Sequence, residues 1–249
     1  RRHLHGGKAP HPPQKGLIQE IVSPAVDIPA GVCYNVRMEQ ERGKFIVFEG
    51  ADGSGKSTQL KQLGKYLKGK GIPVYTTCEP TDSPFGAVLR SCLTGRIETN
   101  EHTVAALFAA DRLDHIFNSV NGILAKLGQG ITVLCDRFYL SSLAYNGGMV
   151  SPEWVQTLNE PAMEAARPDL TIFLDLSTEE SFRRVARRGE TERYETLERQ
   201  RLIRERYFRL FEERRERDHI VVIESDEDKD VTQANIRAAV DAVFSGGNA

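Results

Sequence analysis

Residues 50–58 read Gly-Ala-Asp-Gly-Ser-Gly-Lys-Ser-Thr, and the rest of the chain is organised around this stretch. The apolar run 44–49 precedes it, and leucines at Leu60, Leu63 and Leu67 follow it at helical spacing. This order predicts a strand, a tight loop and then a helix. The glycines would let the loop take positive φ angles and bring its N–H groups close to an anion. The stretch therefore predicts a phosphate-binding loop.

Two side chains of this loop carry specific chemistry. Lys56 would bring a mobile positive charge to the outer phosphates of a nucleotide, and the Ser57 hydroxyl would ligate magnesium. The spacing Gly50-x4-Gly55-Lys56-Ser57 can also arise by chance in a glycine-rich turn that binds nothing. The strand before the loop and the helix after it favour phosphate binding.

Composition limits the classes of protein that the chain can be. Its 249 residues suffice for one α/β domain with a substantial core. A net charge of −2 gives no overall attraction to nucleic acid or to an anionic membrane surface. No apolar run reaches the ~20 residues of a membrane-spanning helix, and the cysteines are too widely spaced for a zinc motif or a disulfide framework. We therefore expect a cytoplasmic protein without nucleic-acid or membrane partners.

Residues 1–37 differ from the remainder of the chain. Five of the eleven prolines lie among the first thirty residues, and polar residues interrupt the apolar pairs there. We expect this segment to be disordered or a non-native N-terminal extension, with initiation at Met38; a transit peptide is the alternative. A single domain is expected over residues 44–244, followed by a frayed tail at residues 245–249.

From Lys44 onward, strand and helix patterns alternate. Besides the strand before the loop, strand patterns occur at residues 72–77, 131–135, 169–176 and 219–223. Helical patterns include the long stretches 103–127 and 194–217. This alternation predicts an α/β protein with a five-stranded parallel sheet and helices on both faces. With the phosphate-binding loop, it indicates the P-loop NTPase fold.

Polar side chains interrupt or end these apolar elements. Asp136 ends an apolar strand, where a carboxylate in this fold holds magnesium-bound water, and it therefore pairs functionally with Ser57. Phe108 and Arg112 are four residues apart and share a helix face, so Phe108 could stack on a base while Arg112 donates to it. The alternative is an ion pair between Asp111 and a neighbouring arginine at a solvated position.

Arginines cluster in residues 183–193, which read Arg-Arg-Val-Ala-Arg-Arg-Gly-Glu-Thr-Glu-Arg. Like charges at helical spacing repel one another, so the cluster favours a bound anion. We interpret it as a flexible arginine-rich lid that closes over transferring phosphates. The alternative is a solvated face neutralised by the neighbouring glutamates.

Five separated motifs resemble one family. They are FEGADGSGKSTQ from Phe48, the Glu79-Pro80 pair, FAADR from Phe108, DRFYLSSLAY from Asp136, and RRGETERYE from Arg187. In this order, across residues 44–243, they resemble the thymidylate kinases, which phosphorylate dTMP to dTDP with ATP. The resemblance implies Mg²⁺ as cofactor and ATP and dTMP as the bound nucleotides.

The resemblance also implies roles for individual residues. The ATP phosphates would bind Gly50, Ala51, Asp52, Gly53, Ser54, Gly55, Lys56, Ser57 and Thr58. Mg²⁺ would be held, through water, by Ser57 and Asp136. The dTMP site would comprise Asp52, Glu79, Arg90, Phe108, Arg112, Arg137, Ser142, Tyr145 and Asn146. The catalytic set would be Lys56, Arg137, Arg187, Arg188 and Arg193.

Within the implied dTMP site, each contact has a distinct purpose. Phe108 would stack on the thymine, while Arg112 and Ser142 would hydrogen-bond to it. The dTMP phosphate would contact Arg90 and Arg137. In addition, Asp52 would lie near the sugar 3′-hydroxyl, and Tyr145 would crowd a ribose 2′-hydroxyl.

Two positions depart from the pattern of many relatives, and a third assigns the chain to a subgroup. Cys78 stands where an arginine is common, and Asn146 stands where glutamine is common. Gly53 stands where some relatives carry an arginine in the loop, so the chain resembles the subgroup whose basic groups come from the lid.

Other interpretations remain open at this point. Another nucleoside monophosphate kinase would share the loop and lid, and a non-catalytic nucleotide-binding module would share the loop. A GTPase would need the guanine-reading motif Asn-Lys-x-Asp, which the sequence lacks. The resemblance also implies a homodimer formed through the helix at residues 108–127. We expect the adenine pocket near Ser225 and Asp226, after the fifth strand.

Overall fold

The computed structural model describes residues 41–186, 196–225 and 228–246. Its strands are β1 (Phe45–Gly50), β2 (Val74–Cys78), β3 (Thr132–Asp136), β4 (Leu170–Asp175) and β5 (Ile220–Glu224). Its α-helices are α1 (Lys56–Gly69), α2 (Pro84–Leu93), α3 (Glu101–Phe117), α4 (Ile123–Gly128), α5 (Tyr139–Tyr145), α6 (Pro152–Ala165), α7 (Thr178–Ala186), α8 (Leu197–Arg214) and α9 (Lys229–Phe244). A short 3₁₀ helix, Asn146–Gly148, follows α5.

Some sequence predictions concern residues outside this description. They are the N-terminal extension 1–37, the lid residues 187–193, Asp226, and residues 247–249 of the tail. Within the described ranges, no helix has both the length and the apolar character needed to cross a membrane.

The five strands form one parallel sheet in the order β2-β3-β1-β4-β5. This arrangement confirms the predicted five-stranded parallel sheet. All six residues of β1 are buried, which is typical of a parallel strand covered on both faces. Since the strands are parallel, their carboxyl ends share one edge, and the loops that carry polar residues project from it.

Side chains of β1 point alternately into two apolar cores. Phe45 and Val47 belong to the core that contains residues of α3 to α6 and α8. Ile46 and Phe48 belong to the opposite core, which is covered by α1 and α9. Helices therefore cover both faces of the sheet, as the sequence predicts.

The predicted helix over residues 103–127 is wrong, because the chain forms α3 and α4 with a break between them. At the break, Asn118 Oδ1 accepts hydrogen bonds from the N–H groups of Val120 at 3.1 Å and Asn121 at 3.3 Å. Val120, expected in the buried stripe, is 77% exposed. An asparagine that binds the following N–H groups thus ends α3 although the apolar pattern continues.

Gly122, which precedes α4, allows a matched test of this break. A Cβ at Gly122 would lie 2.3 Å from the Asn118 carbonyl oxygen, whereas a Cβ at Gly128 would meet no atom within 4 Å. We expect Gly122→Ala to lower the free energy of unfolding by about 1–3 kcal/mol through this collision. Gly128→Ala should be neutral or slightly stabilising. Urea denaturation measures both, and a neutral or stabilising Gly122→Ala would contradict the collision at the break.

Candidate active site

The phosphate-binding loop joins β1 to α1. Gly50, Gly53 and Gly55 have φ angles of 140°, 81° and 91°, a region that glycine enters without a steric penalty. At Gly50, a Cβ would also lie 2.6 Å from the Leu174 carbonyl oxygen of β4. The loop therefore has the positive φ angles that its glycines predict.

Lys56 folds back over this loop. Its Nζ donates to the carbonyl oxygens of Gly50 at 3.0 Å and Ala51 at 2.8 Å. The pKa of Lys56 is lowered to about 8, first by burial and then by the charge of Arg137, while nearby carboxylates oppose both effects. A bound phosphate would favour the charged ammonium form and raise this pKa.

Ser57 and Asp136 bring two oxygen atoms together at the edge of the sheet. Ser57 Oγ donates to Asp136 Oδ2 at 2.7 Å. Within the described ranges, no group of three or more His, Cys, Asp or Glu side chains could hold a metal ion. This pair therefore fits a magnesium ion that takes its remaining ligands from water and nucleotide phosphates.

A cavity of about 240 Å³ lies over the loop, and we call it the loop cavity. Its lining residues come from the loop and from the ends of β2 and β3: Asp52, Gly53, Gly55, Lys56, Ser57, Thr58, Cys78, Glu79, Pro80, Asp136 and Arg137. Cations, hydroxyls and loop backbone thus share this space with the carboxylates of Asp52, Glu79 and Asp136, so phosphate groups would bind there together with a metal cation.

Arg137 follows β3 and has a φ angle of 71°, which is uncommon for a residue with a side chain. Its guanidinium donates to Asp52 Oδ1 at 2.5 Å and to Ser141 Oγ at 3.0 Å, and it lies 5.1 Å from the centre of the Tyr145 ring. Burial lowers the pKa of Arg137, but the charge of Asp52 and other neighbours raises it well above its usual value. Arg137 is therefore a permanent cation.

A second cavity, of about 170 Å³, lies between α5, α8 and the chain after β2, and we call it the helix cavity. Its lining residues are Ala51, Asp52, Glu79, Pro80, Leu93, Phe108, Arg137, Ser141, Ser142, Tyr145, Asn146, Arg199, Gln200 and Ile203. Asn146 is buried, and its Oδ1 has no hydrogen-bond partner in the structure. The cavity thus joins an aromatic ring, a cation and an unused amide oxygen.

The structure brings most residues of the predicted dTMP site to this cavity. Those that line it are Asp52, Glu79, Phe108, Arg137, Ser142, Tyr145 and Asn146. Arg90 and Arg112 are absent from the lining. The contacts that occupy these two arginines explain their placement.

Arg112 is buried behind the cavity wall, with every N–H of its guanidinium near an acceptor. Nε and Nη2 approach Glu79 Oε2 at 2.8 Å and 2.7 Å. Nη1 donates to Ser142 Oγ at 2.9 Å and to Asn159, and Nη2 also donates to the Phe138 carbonyl oxygen at 3.2 Å. Direct donation from Arg112 to a base remains a prediction. It would require Arg112 to give up one of these hydrogen bonds.

Arg90 and Asp111 hold the chain that follows β2. Arg90 Nη1 donates to the carbonyl oxygens of Pro80 at 3.2 Å and Thr81. Asp111 is buried and accepts from Thr81 N at 2.8 Å and from Ser83 Oγ at 3.0 Å. The alternative of a solvated ion pair at Asp111 is therefore wrong, and the phosphate contact of Arg90 remains a prediction.

Helix α7 packs directly against the phosphate-binding loop. Ser181 Oγ donates to the Asp52 carbonyl oxygen at 2.7 Å, and Arg184 Nη1 donates to the Gly53 carbonyl oxygen at 3.3 Å. A Cβ at Gly53 would lie 3.2 Å from Arg184 Cβ. A larger residue at this position would therefore press against α7. The lid arginines Arg187, Arg188 and Arg193 lie outside the described residues.

Sequence reasoning missed two parts of the site. Glu49, fully buried at the end of β1, accepts hydrogen bonds from Phe138, Ser141 and Tyr207. A glutamate within an otherwise apolar strand could have indicated a buried, hydrogen-bonded carboxylate. The other part is the face of α8 at Arg199 and Gln200, which no motif distinguishes from the charged remainder of that helix.

Comparison with known proteins gives one consistent family. Residues 48–236 match the family model described as thymidylate kinase. A probable thymidylate kinase of Pyrococcus abyssi is 42% identical over 178 residues, covering 69% of this chain and 84% of that protein. A thymidylate kinase of Desulfotalea psychrophila is 38% identical over 163 residues, covering 65% and 78% respectively. A probable thymidylate kinase of Methanosphaera stadtmanae is 36% identical over 197 residues, covering 78% and 95%. Since both the family model and these relatives agree, the chain belongs to the thymidylate kinase family.

Proposed function

We propose that this chain phosphorylates dTMP to dTDP, with ATP bound in the loop cavity, dTMP in the helix cavity and Mg²⁺ as cofactor. The observation that carries this proposal is the position of Arg137, which lines both cavities together with Asp52, Glu79 and Pro80. Two phosphate groups drawn to the same cation from opposite sides would meet there. This arrangement suits direct phosphoryl transfer between two bound nucleotides.

On the donor side, the loop N–H groups and Lys56 would bind the ATP phosphates. Ser57 and Asp136 would hold Mg²⁺, in part through water, and the ion would neutralise phosphate charge. Arg187, Arg188 and Arg193 would add positive charge from the lid. Because Gly53 supplies no side chain, the loop depends on other elements for that charge.

On the acceptor side, the helix cavity offers contacts that match a thymidine monophosphate. Phe108 would stack on the base, and the unpartnered Asn146 Oδ1 would accept from the base N3–H. Tyr145, whose ring lies 5.1 Å from the Arg137 guanidinium, would crowd a ribose 2′-hydroxyl. Arg90 and Arg137 would bind the monophosphate, and Asp52 would approach the sugar.

The chemistry requires positioning more than proton transfer. The attacking oxygen of dTMP belongs to a phosphate that is already ionised, so no strong general base is needed. Lys56 and Arg137 would instead stabilise charge on the phosphoryl group as it moves. Both side chains already lie at the cavities, where Lys56 Nζ donates to loop carbonyl oxygens and Arg137 donates to Asp52, and these donors would turn to the phosphates on binding.

The proposal extends to assembly and location. We expect a homodimer, which the family resemblance implies, and a cytoplasmic location, which the widely spaced cysteines favour. Apolar side chains exposed at Phe85 and Val88 of α2 and at Phe117 of α3 support an interface that involves these two helices. Another nucleoside monophosphate kinase activity is the second candidate, supported by the shorter Asn146 in the cavity.

A substrate panel tests the proposed activity. With ATP and Mg²⁺, we expect dTMP to give the highest kcat/KM among dTMP, dUMP, UMP, CMP, AMP and GMP, since the helix cavity should select a deoxyribose and an oxygen-bearing pyrimidine. Coupled measurement of ADP release gives the rates. Preferential turnover of a purine or of CMP would overturn the assignment.

Lys56→Ala tests the catalytic charge over the loop. Losing one preorganised cation should lower kcat by ~10²-fold or more. Lys65→Ala, at an exposed position of the same helix, is the matched control and should leave kcat unchanged. Near-normal turnover of a folded Lys56→Ala protein would remove Lys56 from the catalytic set.

The lowered pKa of Lys56 predicts proton uptake on ATP binding. With a pKa of about 8, much of Lys56 is the neutral amine at pH 8.5 in the free protein. A bound triphosphate favours the charged ammonium, so Lys56 should take up a proton on binding. Calorimetry at pH 8.5 in two buffers of different ionisation enthalpy should therefore give different apparent binding enthalpies. With Mg²⁺-bound ATP, whose terminal phosphate is fully ionised, the difference should shrink at pH 7, where Lys56 is mostly charged. Equal enthalpies at pH 8.5 would contradict the prediction.

A further inference from the structure

Five polar side chains form a line of hydrogen bonds beside the helix cavity, which we call the buried relay: Thr77, His115, Glu79, Arg112 and Ser142. Thr77 Oγ1 lies 2.8 Å from His115 Nε2, and His115 Nδ1 lies 3.0 Å from Glu79 Oε1. Glu79 Oε2 binds Arg112, whose Nη1 donates to Ser142 Oγ at 2.9 Å. The relay thus runs from the end of β2 through α3 to α5.

The chemistry of these groups fixes the direction of several bonds. A guanidinium has donors only, so Glu79 and Ser142 both accept from Arg112. The Glu79 carboxylate must also accept at Oε1, and His115 Nδ1 therefore carries a proton. His115 is the partner that the structure gives to Glu79 Oε1. Without that bond, the carboxylate could rotate and shift Arg112.

The last member of the relay faces the helix cavity. Because Ser142 Oγ accepts from the Arg112 cation, its own proton remains available to donate, and the cation makes it a stronger donor. Glu79 and Ser142 line the helix cavity, whereas Thr77 and His115 border an open groove of about 740 Å³ beside β2. His115 itself is absent from that lining, so a change at His115 reaches the acceptor through Glu79, Arg112 and Ser142.

We propose that His115 is a positioning residue for the acceptor base. By fixing Glu79, it holds Arg112 in place so that the Ser142 hydroxyl presents its proton to a ring carbonyl of the bound pyrimidine. A 4-oxo pyrimidine can accept that hydrogen bond, whereas the 4-amino group of cytosine would place a donor against it. The inference rests on the proposed function and names the group that supports its base selectivity.

The test compares His115→Phe with His115→Asn. Phenylalanine keeps an aromatic ring but removes both ring nitrogens, whereas the Asn Nδ2 places a donor near the original Nδ1 position. We expect His115→Phe to raise KM for dTMP by roughly tenfold, the scale of one lost positioned hydrogen bond. KM for ATP should stay within about twofold, and the preference for dTMP over dCMP in kcat/KM should fall. His115→Asn should restore most of the affinity for dTMP and most of the preference for dTMP over dCMP.

Two further variants keep the test decisive. His102→Phe makes the same substitution at an exposed position of α3 and should leave KM for dTMP unchanged. Thr77→Val removes the hydroxyl that faces His115 Nε2 and should also raise KM for dTMP, by a smaller factor than His115→Phe. If His115→Phe does not fold, Thr77→Val tests the relay in its place.

The outcomes separate the inference from the proposed function. Unchanged dTMP parameters in folded His115→Phe and Thr77→Val proteins would overturn the relay, as would equal rises in KM for ATP and dTMP. Absence of dTMP turnover by the parent enzyme in the same assay would instead overturn the proposed function.

Discussion

The buried carboxylate of Glu49 holds the active-site edge of the sheet together. It accepts from Phe138 N at 2.9 Å, Ser141 Oγ at 2.6 Å and Tyr207 Oη at 2.9 Å. Burial raises the pKa of Glu49, while the Ser141 hydrogen bond and the charge of Arg137 oppose that effect. Removing this acceptor would leave several buried donors unsatisfied, which is costly. One buried side chain therefore links β1 to α5 and α8.

The position of Arg137 follows from that arrangement. The backbone N–H of Arg137 donates to the Phe48 carbonyl oxygen at 2.8 Å, and the backbone N–H of the next residue, Phe138, donates to Glu49. A backbone with φ of 71° persists in a residue with a side chain only where surrounding contacts enforce it. Its guanidinium is thereby directed to Asp52, between the two cavities. The same hydrogen bonds that stabilise the fold thus place the cation that both nucleotides would share.

The sequence predicted the parts of this site that depend on local pattern. Glycine spacing gave the loop, apolar runs gave the parallel sheet, and Asp136 was placed beside Ser57 because strand ends share an edge. Helical spacing showed that Phe108 and Arg112 share a face, but it could not show that Glu79, Asn159 and Ser142 would surround Arg112, since those contacts join distant segments. The break after α3 was missed because the apolar pattern continues across Asn118, whose side chain ends the helix.

Donor and acceptor phosphates are expected to meet at Arg137, between two adjoining cavities. Calorimetric binding of an adenosine and a thymidine joined through five phosphates tests this expectation most directly, because such a molecule spans both cavities. We expect one molecule per chain, bound at least about a hundredfold more tightly than ATP or dTMP alone, as linkage of two sites allows, and displaced by either nucleotide. Binding no tighter than that of ATP, with no competition from dTMP, would contradict the account.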